Sequence, residues 1–310
     1  MRQLSLTVPG EPPIAGTLTL PDGDVPVPAV VIASGSGPLD RDSNHRRARF
    51  DVARQLALTL CAAGLASFRY DKRGVGASPG DWRTAGLHDN VDDLGRALEA
   101  VAGRPEVDAG RIVLAGHSEG AILAAALAAR GVTVAGVVLL SMSATAGEEL
   151  LRWQARQIAP TLPAPVRGLL RLLRIDPEKK VAANHDRIRA TTTDVARIGP
   201  ARINARWTRE FMAHDPRADL RGIAVPVLAV TGEKDLQVDP ADLDVVAAAV
   251  PGGATVHRVP DLTHTLRRQP GPPSLSRYRT ELKKPVDAAL LDLVCAWCRH
   301  TVDGAAPRDR

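Results

Sequence analysis

A chain of 310 residues, 45% hydrophobic but only 3% aromatic, can bury a core of Ala, Val, Leu and Ile in one large α/β domain with an insertion. Its net charge of +5 comes without a long Lys/Arg block or an aromatic-interleaved basic stripe, which argues against a nucleic-acid partner. Three cysteines make no disulfide framework, and the chain has neither an apolar leader in MRQLSLTVPGEPP nor an apolar span of about 18 residues, so a cytoplasmic setting without a membrane span is expected.

Leu4 to Val8 and Ile14 to Leu20 alternate in polarity around PGEPP, which predicts an antiparallel edge hairpin. Ala29 to Ala33 (AVVIA) is the first run apolar enough for a central strand, and it ends in Ser34-Gly35-Ser36-Gly37-Pro38. After LDRDSNHRR, a helix with Val52, Leu56 and Leu60 on one face closes near Gly64. Ala66 to Tyr70 is the next strand and Asp71 to Gly80 its exit loop; Val91, Leu94, Leu98 and Val101 mark the helix that follows. Ile112 to Ala115 reads as a strand buried on both faces, Ala121 to Ala129 as a buried helix, and Val134 to Leu140 as a further strand. This alternation predicts a mostly parallel sheet with helices on both faces.

The alternation stops at about Ser143. Residues 144–217 show helical patterns broken by Pro and Gly and no strand-like run, which predicts a helical cap inserted into a core of residues 1–143 and 218–302. Val166, Leu169, Leu170 and Leu173 share one helical face with Arg167, Arg171 and Arg174 opposite, and Ile203, Trp207 and Phe211 mark a second. An insertion at this point lies over the strand ends, where open α/β sheets bind ligands. The sheet resumes with Ile223 to Val230 and Ala254 to Val259; a last helix runs from Pro285 to His300, and 303–310 read as a loose tail. Cys295 and Cys298 lie late in that helix without a second Cys/His pair, so they read as packing residues and not as a metal or redox pair.

Between the strand Ile112–Ala115 and the helix Ala121–Ala129 stands Gly116-His117-Ser118-Glu119-Gly120, a G-x-S-x-G in the strand–turn–helix context that gives it meaning. The glycines admit a tight turn that would hold Ser118 exposed at the sheet's carboxyl end, as a nucleophile. A serine hydroxyl needs a base, and the base needs an orienting carboxylate. Only His264, of the eight histidines, combines the right chain order with a loop at a strand exit. Asp235, in TGEKD after the strand VPVLAV, is the candidate acid; Glu148, Glu149 and Asp239 are its rivals. The oxyanion of acyl transfer needs amide donors, expected from Glu119 at the helix start and Ser36 in the SGSG loop. Asp40-Arg41-Asp42 reads as a local ion pair holding that loop, and the Glu119 side chain as a loop anchor. The Gly-rich stretch Gly74 to Gly80 is rejected as a dinucleotide turn, because Pro79, Asp81, Trp82 and Arg83 separate it from any apolar helix.

On SGSGPLDRD (Ser34 to Asp42), RYDKRGVGAS (Arg69 to Ser78), GHSEG, TGEKD and LTHTL (Leu262 to Leu266), the chain resembles the α/β-hydrolase superfamily from about Leu4 to His300. The paired GSGPxDRD and GHSEG stretches resemble bacterial carboxylesterases of the EstD kind and the related serine aminopeptidase-like group. The resemblance implies an eight-stranded sheet, a helical cap, no cofactor, no metal and hydrolysis of a small-molecule acyl substrate through an acyl-enzyme. It leaves substrate-binding residues unassigned. Carboxylic ester or thioester hydrolysis is the leading reading; peptidase, amidase or acyltransferase chemistry and a non-catalytic binding protein are the alternatives, and a homodimer is left open. The basic stretch after His264, LRRQPGPPSLSRYRTELKK, reads as a solvated loop or as a feature favouring an anionic substrate.

Overall fold

Ile112, Val113, Leu114 and Ala115 have no solvent exposure, because the strand that carries them has parallel neighbours on both sides and helices on both faces. The computed structural model describes residues 1–23, 25–162, 164–174 and 176–305. One sheet contains β1 (Arg2–Val8), β2 (Ile14–Leu20), β3 (Val27–Ala33), β4 (Ala66–Tyr70), β5 (Val107–His117), β6 (Gly136–Leu140), β7 (Val227–Gly232) and β8 (Ala254–Val259). Their spatial order is β1-β2-β4-β3-β5-β6-β7-β8. β2 pairs antiparallel with β1 and β4, and all other pairings are parallel. The chain leaves β3 toward β4 and returns to the other side of β3 as β5. The loops after β3 and β5 therefore part at the carboxyl edge, where such sheets leave a crevice.

The helices of the described residues are α1 (Val52–Ala62), α2 (Leu87–Ala102), α3 (Glu119–Ala129), α4 (Gly147–Ile158), α5 (Ala164–Leu172), α6 (Pro177–Arg189), α7 (Ala205–Ala213), α8 (Pro216–Gly222), α9 (Asp242–Ala249), α10 (Tyr278–Glu281) and α11 (Ala288–Ala305). Alternate strand residues feed two cores. Val30, Ile32, Val113 and Val138 meet α1 and α11, while Val31, Leu114, Val137 and Ala229 meet α2, α3, α8 and α9. In α3 every residue but the last is buried, which is why EGAILAAALAA is small and apolar all round. Truncating Leu123, which has no exposure, is expected to cost about 2–5 kcal/mol. Cys295 and Cys298 are buried packing residues of the second core, and no described helix is long and apolar enough to cross a membrane.

Three local expectations differ from the structure. Residues 144–217 contain a hairpin, Val195–Ile198 paired with Ala201–Asn204, that includes Ile203; four-residue strands interrupted by Arg197 and Arg202 are too short for alternation to register. Ile223 caps α8 and is fully buried, and β7 begins only at Val227. Helix α11 continues to Ala305, into the expected tail; residues 306–310 and the side chains of Leu170 and Arg171 lie outside the described residues.

Candidate active site

Ser118 has φ 58° and ψ −123°, a backbone conformation that costs a residue with a side chain about 1–3 kcal/mol. Its surroundings hold it there. The Ser118 N–H donates to Leu140 O at 2.9 Å and its carbonyl accepts from the Ala121 N–H at 3.0 Å. A Cβ on Gly116 would stand 2.0 Å from Gly120 O, and one on Gly120 would stand 2.2 Å from Ala33 O. Only glycine permits the strand, the turn and β3 to approach this closely.

His264 Nε2 lies 3.0 Å from Ser118 Oγ, and His264 Nδ1 lies 2.9 Å from Asp235 Oδ2. An Nδ1–H donated to the carboxylate leaves the Nε2 lone pair to face the serine hydroxyl. Asp235 is buried and also accepts from the amides of Gln237 at 2.8 Å and Val238 at 3.0 Å, which fixes its carboxylate. Two of its rivals are engaged elsewhere: Glu148 pairs with Arg189, and Asp239 caps the start of α9 through the Ala241 amide. Gly232 lets the histidine loop lie on β7, since a Cβ there would meet Leu262 O at 2.1 Å.

That loop is pinned by residues the motifs did not reveal. Arg267, almost without exposure, donates to the carbonyls of Thr265 at 2.6 Å, Phe50 at 2.7 Å and Lys284 at 2.9 Å. Buried Glu281 accepts from Thr263 Oγ1 at 2.8 Å, Thr265 Oγ1 at 3.0 Å and the Gln269 amide. His117 Nε2–H donates to His264 O at 2.9 Å. Burial, with His264 nearby, pushes the His117 imidazole down to about 3, so it is neutral across the physiological range. The expectation that the basic stretch after His264 is solvated fails for Arg267, which is spent on three carbonyls, and holds for Arg268, which is exposed and pairs with Asp287 at 2.7 Å.

The SGSG loop reaches Ser118: a Cβ on Gly35 would sit 3.4 Å from Ser118 Cβ. Among the described residues no acceptor takes the N–H of Ser36 or of Glu119. The expected local ion pair within Asp40-Arg41-Asp42 is not formed. Arg41 pairs with Asp71 at 2.5 Å and Asp42 with Arg69 at 2.7 Å, so the loop is tied to β4 and its exit. Burial alone would raise the Asp71 carboxyl, but Arg41 and the Arg41 and Ala77 amides outweigh it and hold it low. The Gly74–Gly80 turn wraps this carboxylate, with no room for a Cβ on Gly76, 2.4 Å from Asp71 Oδ2.

Glu119 is an anchor. Its buried carboxylate accepts from Asn90 Nδ2 at 3.0 Å and Trp207 Nε1 at 3.1 Å and lies 3.4 Å from Lys72 Nζ. Lys72 in turn donates to Gly35 O at 2.6 Å, which links α3 to the SGSG loop. A cavity of about 350 Å³ opens on this cluster, lined by Ser36, Glu119, Trp82, Ile203, Asn204 and Trp207 among others. Its walls come from the β3 loop, the β4 exit loop and the segment between β6 and β7. Among the described residues, no group of three or more His, Cys, Asp and Glu could hold a metal ion.

Residues 48–270 match the serine aminopeptidase S33 family. Esterase EstD of Thermotoga maritima is 26% identical over 295 residues, which cover 94% of this chain and 66% of EstD. Esterase FrsA of Escherichia coli O157:H7 is 33% identical over 128 residues, 41% of this chain and 28% of FrsA. The chain thus spans just under two thirds of the first of these relatives and about a quarter of the second. Est1E from Butyrivibrio proteoclasticus superposes with a TM-score of 0.63 at 16% identity, covering 96% of this chain and 99% of that one. The fold is that of the α/β-hydrolases, and the chain belongs to the serine aminopeptidase S33 family within it.

Proposed function

We propose that the protein is a serine hydrolase that cleaves a carboxylic ester, with Ser118 as nucleophile, His264 as base and Asp235 as orienting acid. The observation that carries this reading is the relay of 3.0 and 2.9 Å through His264, ending on a serine in strained backbone. The names of EstD and FrsA, both esterases, favour the same chemistry. Ser118 Oγ attacks the ester carbonyl carbon as its proton passes to His264 Nε2. The amides of Ser36 and Glu119 bind the oxyanion. Collapse breaks the C–O bond, His264 returns the proton to the departing alcohol, and an acyl-Ser118 remains. A water then gives its proton to His264 and attacks the acyl carbon, releasing the acid and Ser118.

The family description raises aminopeptidase activity as a second reading. An aminopeptidase must bind a free ammonium group, which calls for an available carboxylate. Of the residues lining the cavity, Glu119 alone carries one, and three donors already occupy it. The ester reading is therefore preferred. Assay with p-nitrophenyl esters from acetate to decanoate, beside amino-acid p-nitroanilides, tests it: ester turnover with inert anilides is the expected result. Turnover of the anilides alone would replace it with the peptidase reading.

A further inference from the structure

Val166, Leu169, Leu172 and Leu173 are 42%, 54%, 79% and 56% exposed, and they account for four of the seven large exposed apolar residues in the described chain. Positions 166, 169 and 173 fall on one side of α5 and its following turn, with 172 at the edge. Single exposed apolar residues are ordinary; four on one short element mark a surface that contacts something. The sequence around them is strongly one-signed. Between Glu149 and Asp176 it has Arg152, Arg156, Arg167, Arg171 and Arg174 and no acidic residue. Arg152 and Arg156 pair with Glu178, whereas Arg167 and Arg174 have no carboxylate partner among the described residues.

We infer that this element is a surface anchor that lays its Val/Leu face into an anionic lipid bilayer, with Arg167 and Arg174 at the headgroups. An aliphatic face with a basic face opposite is the pattern of helices that lie in the membrane interface, where arginines extend their charged ends to lipid phosphates. A second copy of this element would cover the Val/Leu face but supplies no acid for Arg167 and Arg174 on the opposite side, whereas anionic headgroups supply phosphates for them. A protein partner is disfavoured because the stripe holds no Tyr or Trp, the residues that anchor such interfaces. Docking by α5 would bring to the bilayer surface the same inserted segment that supplies Asn204 and Trp207 to the cavity. The inference stands apart from the ester reading, since binding is measured without turnover.

The test is co-sedimentation of the full chain with vesicles of equal parts phosphatidylglycerol and phosphatidylcholine, against phosphatidylcholine alone, at low and high salt. Binding to the anionic vesicles is expected, weakened about tenfold or more by Leu169→Asp/Leu172→Asp and to a similar degree by Arg167→Gln/Arg174→Gln. Unchanged far-ultraviolet circular dichroism and melting temperature show that the variants fold. No binding to anionic vesicles, or equal binding by the leucine variant, would overturn the inference. So would a dimer in sedimentation velocity that the leucine variant abolishes, or binding to soluble polyglutamate as strong as to vesicles and equally sensitive to that variant.

Discussion

Trp207, carried by the segment between β6 and β7, donates its indole N–H at 3.1 Å to Glu119, the residue that follows Ser118 in the chain. The same carboxylate faces Lys72, which grips the SGSG loop through Gly35 O. One buried acid thus couples the Ser118 turn, the loop of the proposed oxyanion donor Ser36 and a wall of the cavity.

Both partners of Lys72 and Glu119 are buried, so removing one leaves the other charged without a counterion. Glu119→Gln is expected to destabilise the fold by about 3–5 kcal/mol, and Lys72→Met by a comparable amount. The double variant should recover much of that loss, because neither charge remains. Urea denaturation of the four proteins measures the cycle; strictly additive losses would show that the two groups do not interact. Trp207→Phe keeps the stacking on Phe211 but removes the donor, with an expected cost of about 1.5–3 kcal/mol.

The proposed oxyanion donor at position 36 is a backbone N–H, so the side chain should matter little. Ser36→Ala is expected to keep kcat within a few-fold, whereas Ser36→Pro, which deletes the N–H, should lower it by about 10²–10³. Equal losses in both variants would assign the role to the hydroxyl, and no loss in either would remove Ser36 from the chemistry.

Gly120→Ala places a methyl carbon 2.2 Å from the Ala33 carbonyl, and backbone on both sides prevents relaxation. Melting temperature should fall steeply, corresponding to about 3 kcal/mol or more, if the protein folds at all. Gly252→Ala has nothing within 4 Å and serves as the control, expected to be neutral within about 0.5 kcal/mol. Similar stability for the two variants would contradict the packing account of the turn.

These contacts also show what could be read in advance. Ser118, Asp235 and His264 were legible because each follows an apolar strand, and a parallel sheet gathers such loops at one edge. Glu119 was legible as an anchor, but Lys72, Asn90 and Trp207, which it anchors, were not: they converge from three separate stretches with no fixed spacing. Arg267 and Glu281 were hidden for a related reason. In a stretch as charged as LRRQPGPPSLSRYRTELKK, nothing local separates the buried arginine that reaches three carbonyls from those that face solvent. The hairpin Val195–Ile198/Ala201–Asn204 escaped because its four-residue strands carry too few alternations to compete with the helical patterns around them.

His117 gives the stability a pH dependence of known sign. Its folded value, about 3, lies below the ordinary histidine value of 6.5 because burial disfavours the charged ring. Between those values the unfolded chain binds a proton that the folded protein refuses, so this residue makes stability rise with pH there and fall on acidification from 6.5 toward 3. His117→Gln keeps a side-chain donor for His264 O and removes the titration. Urea midpoints at pH 7 and pH 4.5 should therefore converge in the variant relative to the wild type, whereas parallel losses in the two proteins would contradict the assignment.

The most direct test of the central claim is intact-mass measurement after treatment with a fluorophosphonate, on wild type and Ser118→Ala, with p-nitrophenyl ester turnover followed on the same samples. The account predicts one adduct per chain in the wild type, abolition of turnover by that adduct, and neither adduct nor turnover in Ser118→Ala. Folded wild-type protein that takes no adduct and turns over no ester, or a Ser118→Ala variant that retains both, would contradict it.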